Sequence, residues 1–163
     1  MREQFDELDN HGIDYDVTPG VSAFGGAAAA LKAEFTLPDV SQTVIITRME
    51  GRTPVPEKEK IRSLASHQAT MVMYLSTGLV KGLQRELIAG GYAPETPAAI
   101  VYKASWPDQK VFRCKLEDLA ATAEENHLTK LALILVGGFL GDKYDRSKLY
   151  DPTFTTEFRE AEK

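Results

Sequence analysis

The sequence has 163 residues, a length that fits one domain of ordinary size with a sizeable hydrophobic core. Its 24 acidic residues outnumber its 19 Lys and Arg residues, which argues against a nucleic-acid backbone or an anionic membrane as the main partner. The single cysteine and the acidic N-terminal segment predict a soluble protein of the reducing cytoplasm, and the longest apolar run, Leu131 to Leu140, is about half of the roughly 20 residues that a membrane-spanning helix requires.

The N-terminal segment predicts a short helix followed by a strand. Phe5 and Leu8 lie three residues apart within Arg2 to Asn10, and Gly12 is placed to end that helix in the left-handed conformation. Ile13 to Val17 then alternates apolar and acidic residues, which is the period of two that is typical of a strand.

A turn of unusual composition, PGVSA at 19–23, follows the predicted strand. Ser22 is a favourable N-cap for a helix of small residues from about Ala23 to Glu34, and the connector FTLPDV at 35–40 predicts a domain boundary. In an α/β protein, backbone N–H groups at such a turn can approach a ligand. The alternative is an ordinary connection between a strand and a helix, which the spacing alone favours.

Strands and helices alternate through the rest of the chain. The β-branched run 43–47 predicts a strand buried on both faces, and the other predicted strands are 70–76, 98–103, 110–115 and 131–136. Helices are predicted at 57–67, 79–89 and 116–126. This order predicts an α/β fold with a mixed, mostly parallel sheet of about five strands, helices on its faces and a hairpin between the third and fourth strands. An irregular tail is predicted for 142–163.

The residue types that usually carry catalysis give little signal. His11, His67 and His127 lie in different segments without other ligands at metal-binding spacing, and Cys114 has no nearby basic cluster. A nucleophile elbow and a Walker-type phosphate loop are both missing from the sequence. We therefore expect neither a metal site nor a catalytic nucleophile.

A second candidate site is the loop Thr47 to Pro56, which leaves the end of a predicted strand. Its two arginines, Arg48 and Arg52, could each bind a carboxylate through two hydrogen bonds. The alternative is a solvated loop in which Arg48 pairs with Glu50 or Glu57.

Four segments together resemble the tetrapyrrole methylase family. They are PGVSA after a strand, the small-residue helix, TLPDVSQTVIITRMEGRTPVPE and TMVMYLS, and the similarity extends from Met1 to about Leu140. EGRTP is the most specific segment and favours the branch that acts on precorrin-4. The resemblance implies a homodimeric enzyme of cobalamin biosynthesis. In such an enzyme the methyl group of S-adenosylmethionine is transferred to ring carbon 11 of precorrin-4 or cobalt-precorrin-4, in a cleft between two α/β domains.

The resemblance also implies contacts with both ligands. The implied cofactor contacts are two residues of the PGVSA turn, the apolar residue after the second strand and the small residue after AAIVYK: Ser22, Ala23, Leu75 and Ala104. Many members have glycine at the last of these positions. Arg52 and Thr53 are assigned to substrate carboxylates from their chemistry and from the similarity of EGRTP. No residue is assigned as a catalytic base.

Two segments of the family are missing from this sequence, a Gly-rich G-x-G-P-G-D loop and a later S-G-D segment. We therefore expect a C-terminal portion of such an enzyme, with residues 1–40 as the remainder of the first domain and its connector, and 41–141 as the second α/β domain. Two alternatives stay open. One is a family member with a different substrate, and the other is a non-catalytic α/β module that dimerises.

Overall fold

The computed structural model of the protein describes residues 1–161, which contain five α-helices and five strands. The α-helices are α1 (Arg2–Asn10), α2 (Ala23–Leu31), α3 (Ile61–Ala65), α4 (Val80–Ala89) and α5 (Leu119–Glu125). The strands are β1 (Val44–Arg48), β2 (Thr70–Tyr74), β3 (Pro97–Tyr102), β4 (Lys110–Lys115) and β5 (Ala132–Val136). Short 3-10 helices lie at Glu57–Glu59, Thr77–Leu79, Leu116–Asp118, Gly138–Leu140 and Lys148–Tyr150.

The five strands form one mixed sheet in the order β1-β2-β5-β3-β4. The mixed α/β architecture and the β3–β4 hairpin are therefore confirmed. The sheet has fewer parallel pairs than the sequence predicts, because β1 and β2 are parallel whereas the other three pairings are antiparallel. The difference arises from β5, which lies between β2 and β3 and runs opposite to both. A continuous apolar run shows that a strand is buried and leaves its direction open.

Helices cover both faces of the sheet and bury two hydrophobic cores. On one face α3, α4 and α5 pack through buried side chains that include Leu83, Leu87 and Leu119. On the other face α2 packs through Ala27 and Leu31. The small residues of α2 allow its backbone to approach the sheet, which places the start of the helix beside the ends of the central strands.

The predicted strand Ile13 to Val17 is wrong. This segment has no regular secondary structure, and the aromatic ring of Tyr15 stacks on Phe5 of α1 with 4.8 Å between ring centroids. Gly12 has φ 63° and ends α1 as predicted, so the chain folds back against the helix. Alternation gives a strand only where a neighbouring strand supplies hydrogen-bond partners, and no strand of the described residues pairs with this segment.

Three other elements differ from the sequence prediction. The strand predicted to be buried on both faces is the edge strand β1, and Ile46 is 48% exposed. Helix α2 ends at Leu31 because Lys32 adopts the left-handed conformation. The helix predicted over 57–67 is divided at Lys60, whose backbone is extended. The tail from 142 to 161 is irregular apart from one 3-10 turn and one isolated bridge, and residues 162–163 lie outside the described residues.

The close contact between α3 and the end of α4 depends on Gly90. A Cβ atom at this position would lie 2.5 Å from the Cβ of Ala65 and 2.6 Å from the carbonyl oxygen of Arg62. We expect Gly90→Ala to lower the free energy of unfolding by about 1–3 kcal/mol, because the helices must move apart. Gly20→Ala is the matched control, since its Cβ would meet nothing within 4 Å. Equal urea midpoints for the two variants would contradict this packing.

Candidate functional site

Three strand ends meet at one edge of the sheet. Because β5 is antiparallel to β2 and β3, its first residues lie beside the C-terminal ends of both neighbours. The residue adjoining each end has a positive φ, which is 52° at Leu75, 47° at Lys103 and 58° at Leu131. Such conformations are strained for residues other than glycine, and they concentrate at functional sites. The strained backbone at these three strand ends therefore indicates a ligand site at this edge of the sheet.

A cavity of about 390 Å³ opens at these strand ends, and we call it the edge cavity. Ala23 at the start of α2, Leu75 after β2 and Ala104 after β3 line it together. The structure thus brings three of the four implied cofactor contacts, which come from separate segments, around one space. Its volume falls within the range of about 300–1,000 Å³ that is usual for small-molecule sites.

Ser22, the fourth implied cofactor contact, lies next to the edge cavity. It occupies the N-cap position of α2 as predicted, but its side chain does not cap the helix. Its Oγ lies 2.9 Å from the hydroxyl oxygen of Tyr74, and the backbone N–H of Phe24 donates to that same hydroxyl at 2.8 Å. The phenol at the end of β2 therefore satisfies a helix N–H group that a capping side chain usually satisfies.

Two buried hydroxyl side chains after β2 also organise the site. The Oγ of Ser76 accepts a hydrogen bond from the backbone N–H of Met49 at 2.8 Å and donates to the carbonyl oxygen of Tyr74 at 2.7 Å. The hydroxyl of Thr77 donates to the carbonyl oxygen of Ala132 at 3.2 Å. Sequence reasoning missed Tyr74, Ser76 and Thr77, and the available signal was their position at the end of a buried strand or directly after it.

Arg48 closes the loop that follows β1. Its guanidinium donates to the carbonyl oxygens of Thr53 at 3.2 Å and Pro54 at 2.9 Å. Glu57 pairs instead with Lys60 at 2.6 Å. Arg48 therefore orders the EGRTP loop, which we define as Glu50 to Pro54, through backbone carbonyls.

A second cavity, of about 400 Å³, lies between the EGRTP loop and the end of β2, and we call it the loop cavity. Its lining includes Arg48 and Pro54, and it shares Tyr74 and Leu75 with the edge cavity. The side chains of Arg52 and Thr53 are exposed on the same loop and are not part of this lining. The two cavities therefore adjoin the same strand end.

A charged and aromatic cluster borders the edge cavity. The Nζ atom of Lys103 donates to the carboxylate of Asp108 and lies 5.2 Å from the ring centroid of Trp106. This hydrogen bond lowers the pKa of the Asp108 carboxyl and raises the pKa of Lys103. The pair keeps one positive and one negative charge at the cavity, and a salt bridge this close to solvent adds little stability.

The described residues give little support for a metal site or a nucleophilic thiol. Residues 1–161 contain no group of three or more His, Cys, Asp or Glu side chains that could hold a metal ion. The Cys114 thiol is half-buried, and burial raises its pKa, which disfavours the nucleophilic thiolate. In the same part of the chain, no helix is long and apolar enough to cross a membrane.

Comparison with known proteins identifies the class to which this fold and site belong. The profile of the tetrapyrrole (corrin/porphyrin) methylases matches residues 1–120. The matched region holds α1 to α4, β1 to β4 and the residues implied to contact both ligands. The chain therefore belongs to the tetrapyrrole methylase family.

Two relatives and one solved structure of similar sequence carry the name of one enzyme within this family. Two proteins named cobalt-precorrin-4 C(11)-methyltransferase match the whole chain, one from Methanocaldococcus jannaschii at 52% identity and one from Priestia megaterium at 47%. The chain spans 63% and 65% of their lengths. A solved structure of a cobalt precorrin-4 methyltransferase, a cobalamin biosynthetic enzyme, has a TM-score of 0.83 at 45% identity, and the match covers 86% of this chain and 59% of that chain.

The carbonyl contacts of Arg48 predict that it protects the EGRTP loop from proteolysis. In Arg48→Ala we expect trypsin to cleave the bond after Arg52 about fivefold faster or more, because the loop loses the hydrogen bonds that hold its ends together. Cleavage at this bond is measured by mass spectrometry under native conditions. Arg85→Ala, which removes an exposed arginine on α4, is the control. An unchanged rate in Arg48→Ala would show that other contacts order the loop.

Proposed function

We propose that this chain supplies the cofactor cavity and a substrate loop of an enzyme that transfers the methyl group of S-adenosylmethionine to carbon 11 of precorrin-4 or cobalt-precorrin-4, in cobalamin biosynthesis. The convergence of Ala23, Leu75 and Ala104 on the edge cavity carries this proposal. The names of the 52% and 47% identical relatives support the reaction. Because the chain spans less than two thirds of those relatives, the activity is proposed for the whole enzyme.

The edge cavity has the size and the lining to hold S-adenosylmethionine. Ser22 and Ala23 allow close approach to the backbone at the start of α2, Ala104 leaves room beside them, and Leu75 contributes an apolar surface. The cofactor supplies a methyl group that its sulfonium already activates. The work left to these residues is to hold two reactants at reacting distance and to exclude water. No catalytic base is needed for that task, and we propose none.

We propose that Arg52 and Thr53 bind carboxylates of the tetrapyrrole. A guanidinium can form two parallel hydrogen bonds to a carboxylate, and the Arg52 side chain is exposed on the EGRTP loop. The loop borders a cavity that shares Tyr74 and Leu75 with the edge cavity. A substrate held there would therefore lie next to the bound cofactor.

The proposal also includes the organisation of the protein. Residues 1–40 belong to a first domain and its connector, residues 41–141 form the second α/β domain, and 142–163 is a tail. Helix α2 of the first part packs against the sheet of the second through Ala27 and Leu31, which supports a site built from both parts. We further propose a homodimer in the cytoplasm, from the family resemblance and the single cysteine.

The first test uses the chain alone and a chimera in which the N-terminal segment of the 52%-identical relative precedes it. We expect the chain alone to bind S-adenosylhomocysteine weakly or not at all in calorimetric titration, because its sequence lacks the Gly-rich loop. The chimera should bind it and transfer labelled methyl to precorrin-4 or cobalt-precorrin-4. Tight binding by the chain alone would contradict the shared cleft. Binding without transfer to either substrate would favour another substrate, and no binding by the chimera would favour a non-catalytic module.

A second test addresses Arg52 in the same chimera. We expect Arg52→Ala to raise the KM for the tetrapyrrole about tenfold or more while the affinity for S-adenosylhomocysteine stays unchanged, because a charged hydrogen-bonding partner of the substrate is lost. Arg85→Ala, a change of the same charge on α4, serves as the control. Equal loss of affinity for both ligands would count against a role of Arg52 in substrate binding.

A further inference from the structure

The hydroxyl of Tyr74 joins two segments that are distant in the sequence. It accepts a hydrogen bond from the backbone N–H of Phe24, which leaves its own proton available to donate to the Oγ of Ser22. Both partners belong to the first turn of α2, whereas Tyr74 is the last residue of β2. The phenol therefore ties the PGVSA turn to the centre of the sheet.

The PGVSA turn has little else to hold it in place. Gly20, Val21 and Ser22 are exposed, and Val21 is 91% exposed. In the first turn of the helix that follows, the ring of Phe24 packs on Phe35 at 5.8 Å between ring centroids and anchors the helix to the second core. The two hydrogen bonds to the Tyr74 hydroxyl and the packing of the Phe24 ring therefore position this turn together.

We propose that Tyr74 is a positioning residue, whose hydroxyl holds Ser22 and Ala23 against the end of β2 and so keeps the edge cavity in the shape that binds the cofactor. This inference rests on the proposed function for the identity of the ligand. The geometric part does not depend on any ligand, because it concerns contacts within this chain.

Removal of the Tyr74 hydroxyl can distinguish a positioning role from a general contribution to stability. The Oγ of Ser76 donates to the carbonyl oxygen of Tyr74 and accepts from the backbone N–H of Met49, the residue that precedes the EGRTP loop. Tyr74→Phe removes the hydroxyl and retains the ring and the carbonyl group. The variant should therefore loosen the PGVSA turn and leave the EGRTP loop unchanged, whereas general destabilisation would loosen both.

The experiment measures the two segments in the 163-residue chain. In Tyr74→Phe we expect amide hydrogen exchange at Phe24, followed by NMR, to become about five- to tenfold faster, because its N–H loses its acceptor. Trypsin cleavage after Arg52 should keep its wild-type rate. Tyr150→Phe is the matched control, since Tyr150 is 82% exposed in the tail. Unchanged exchange at Phe24, or equal loosening of both segments, would overturn the inference.

The chimera described above tests the effect on the ligand. In Tyr74→Phe we expect the dissociation constant of S-adenosylhomocysteine and the KM for S-adenosylmethionine to rise about five- to tenfold. Faster exchange at Phe24 with unchanged cofactor affinity would overturn the positioning role. A wild-type chimera that fails to bind the cofactor would count against the proposed function, and the exchange at Phe24 would still decide whether Tyr74 holds the turn.

Discussion

The direction of β5 decides where the site forms. This strand lies between β2 and β3 and is antiparallel to both, so the C-terminal ends of two strands and the N-terminal end of a third meet at one edge. If β5 ran in the opposite direction, Gly137 would follow its end at this edge, and Leu131 would lie at the far side of the sheet. The direction of β5 therefore brings Leu131 to the edge cavity that Leu75 and Lys103 also line.

β5 also connects the two hydrophobic cores. Ile134 and Val136 are buried with α3 to α5 on one face, and Leu133 and Leu135 are buried with α2 on the other. A backbone in the left-handed conformation costs about 1–3 kcal/mol for a residue other than glycine. Burying a Leu or Ile side chain contributes about 1.5–3 kcal/mol. The two cores therefore hold the strand ends firmly enough for the adjoining turns to remain strained.

The sequence predicts a strand well where the alternation of residues within that strand is sufficient to define it. The edge strand β4 alternates along its length and has the predicted bounds Lys110–Lys115. The pattern fails where the outcome depends on a partner. Ile13 to Val17 alternates but finds no neighbouring strand among the described residues, and β1 is β-branched from Val44 to Thr47 but is an edge strand. Strand order and direction are decided by packing between segments, and no local pattern reports them.

Contacts between distant segments also determine which residues of the candidate site could be predicted from the sequence. Ala23, Leu75 and Ala104 came from resemblance, and the fold brings them around one cavity. The sequence pattern does not indicate Tyr74 and Ser76, because their roles lie in hydrogen bonds to residues of other segments, which are Ser22 and Phe24 for Tyr74 and Met49 for Ser76. Through these two residues one strand end holds both the turn beside the edge cavity and the residue that precedes the EGRTP loop. A site in which two reactants must meet gains from such a common support, because each ligand is placed relative to the same rigid strand and less conformational freedom remains to be lost on binding.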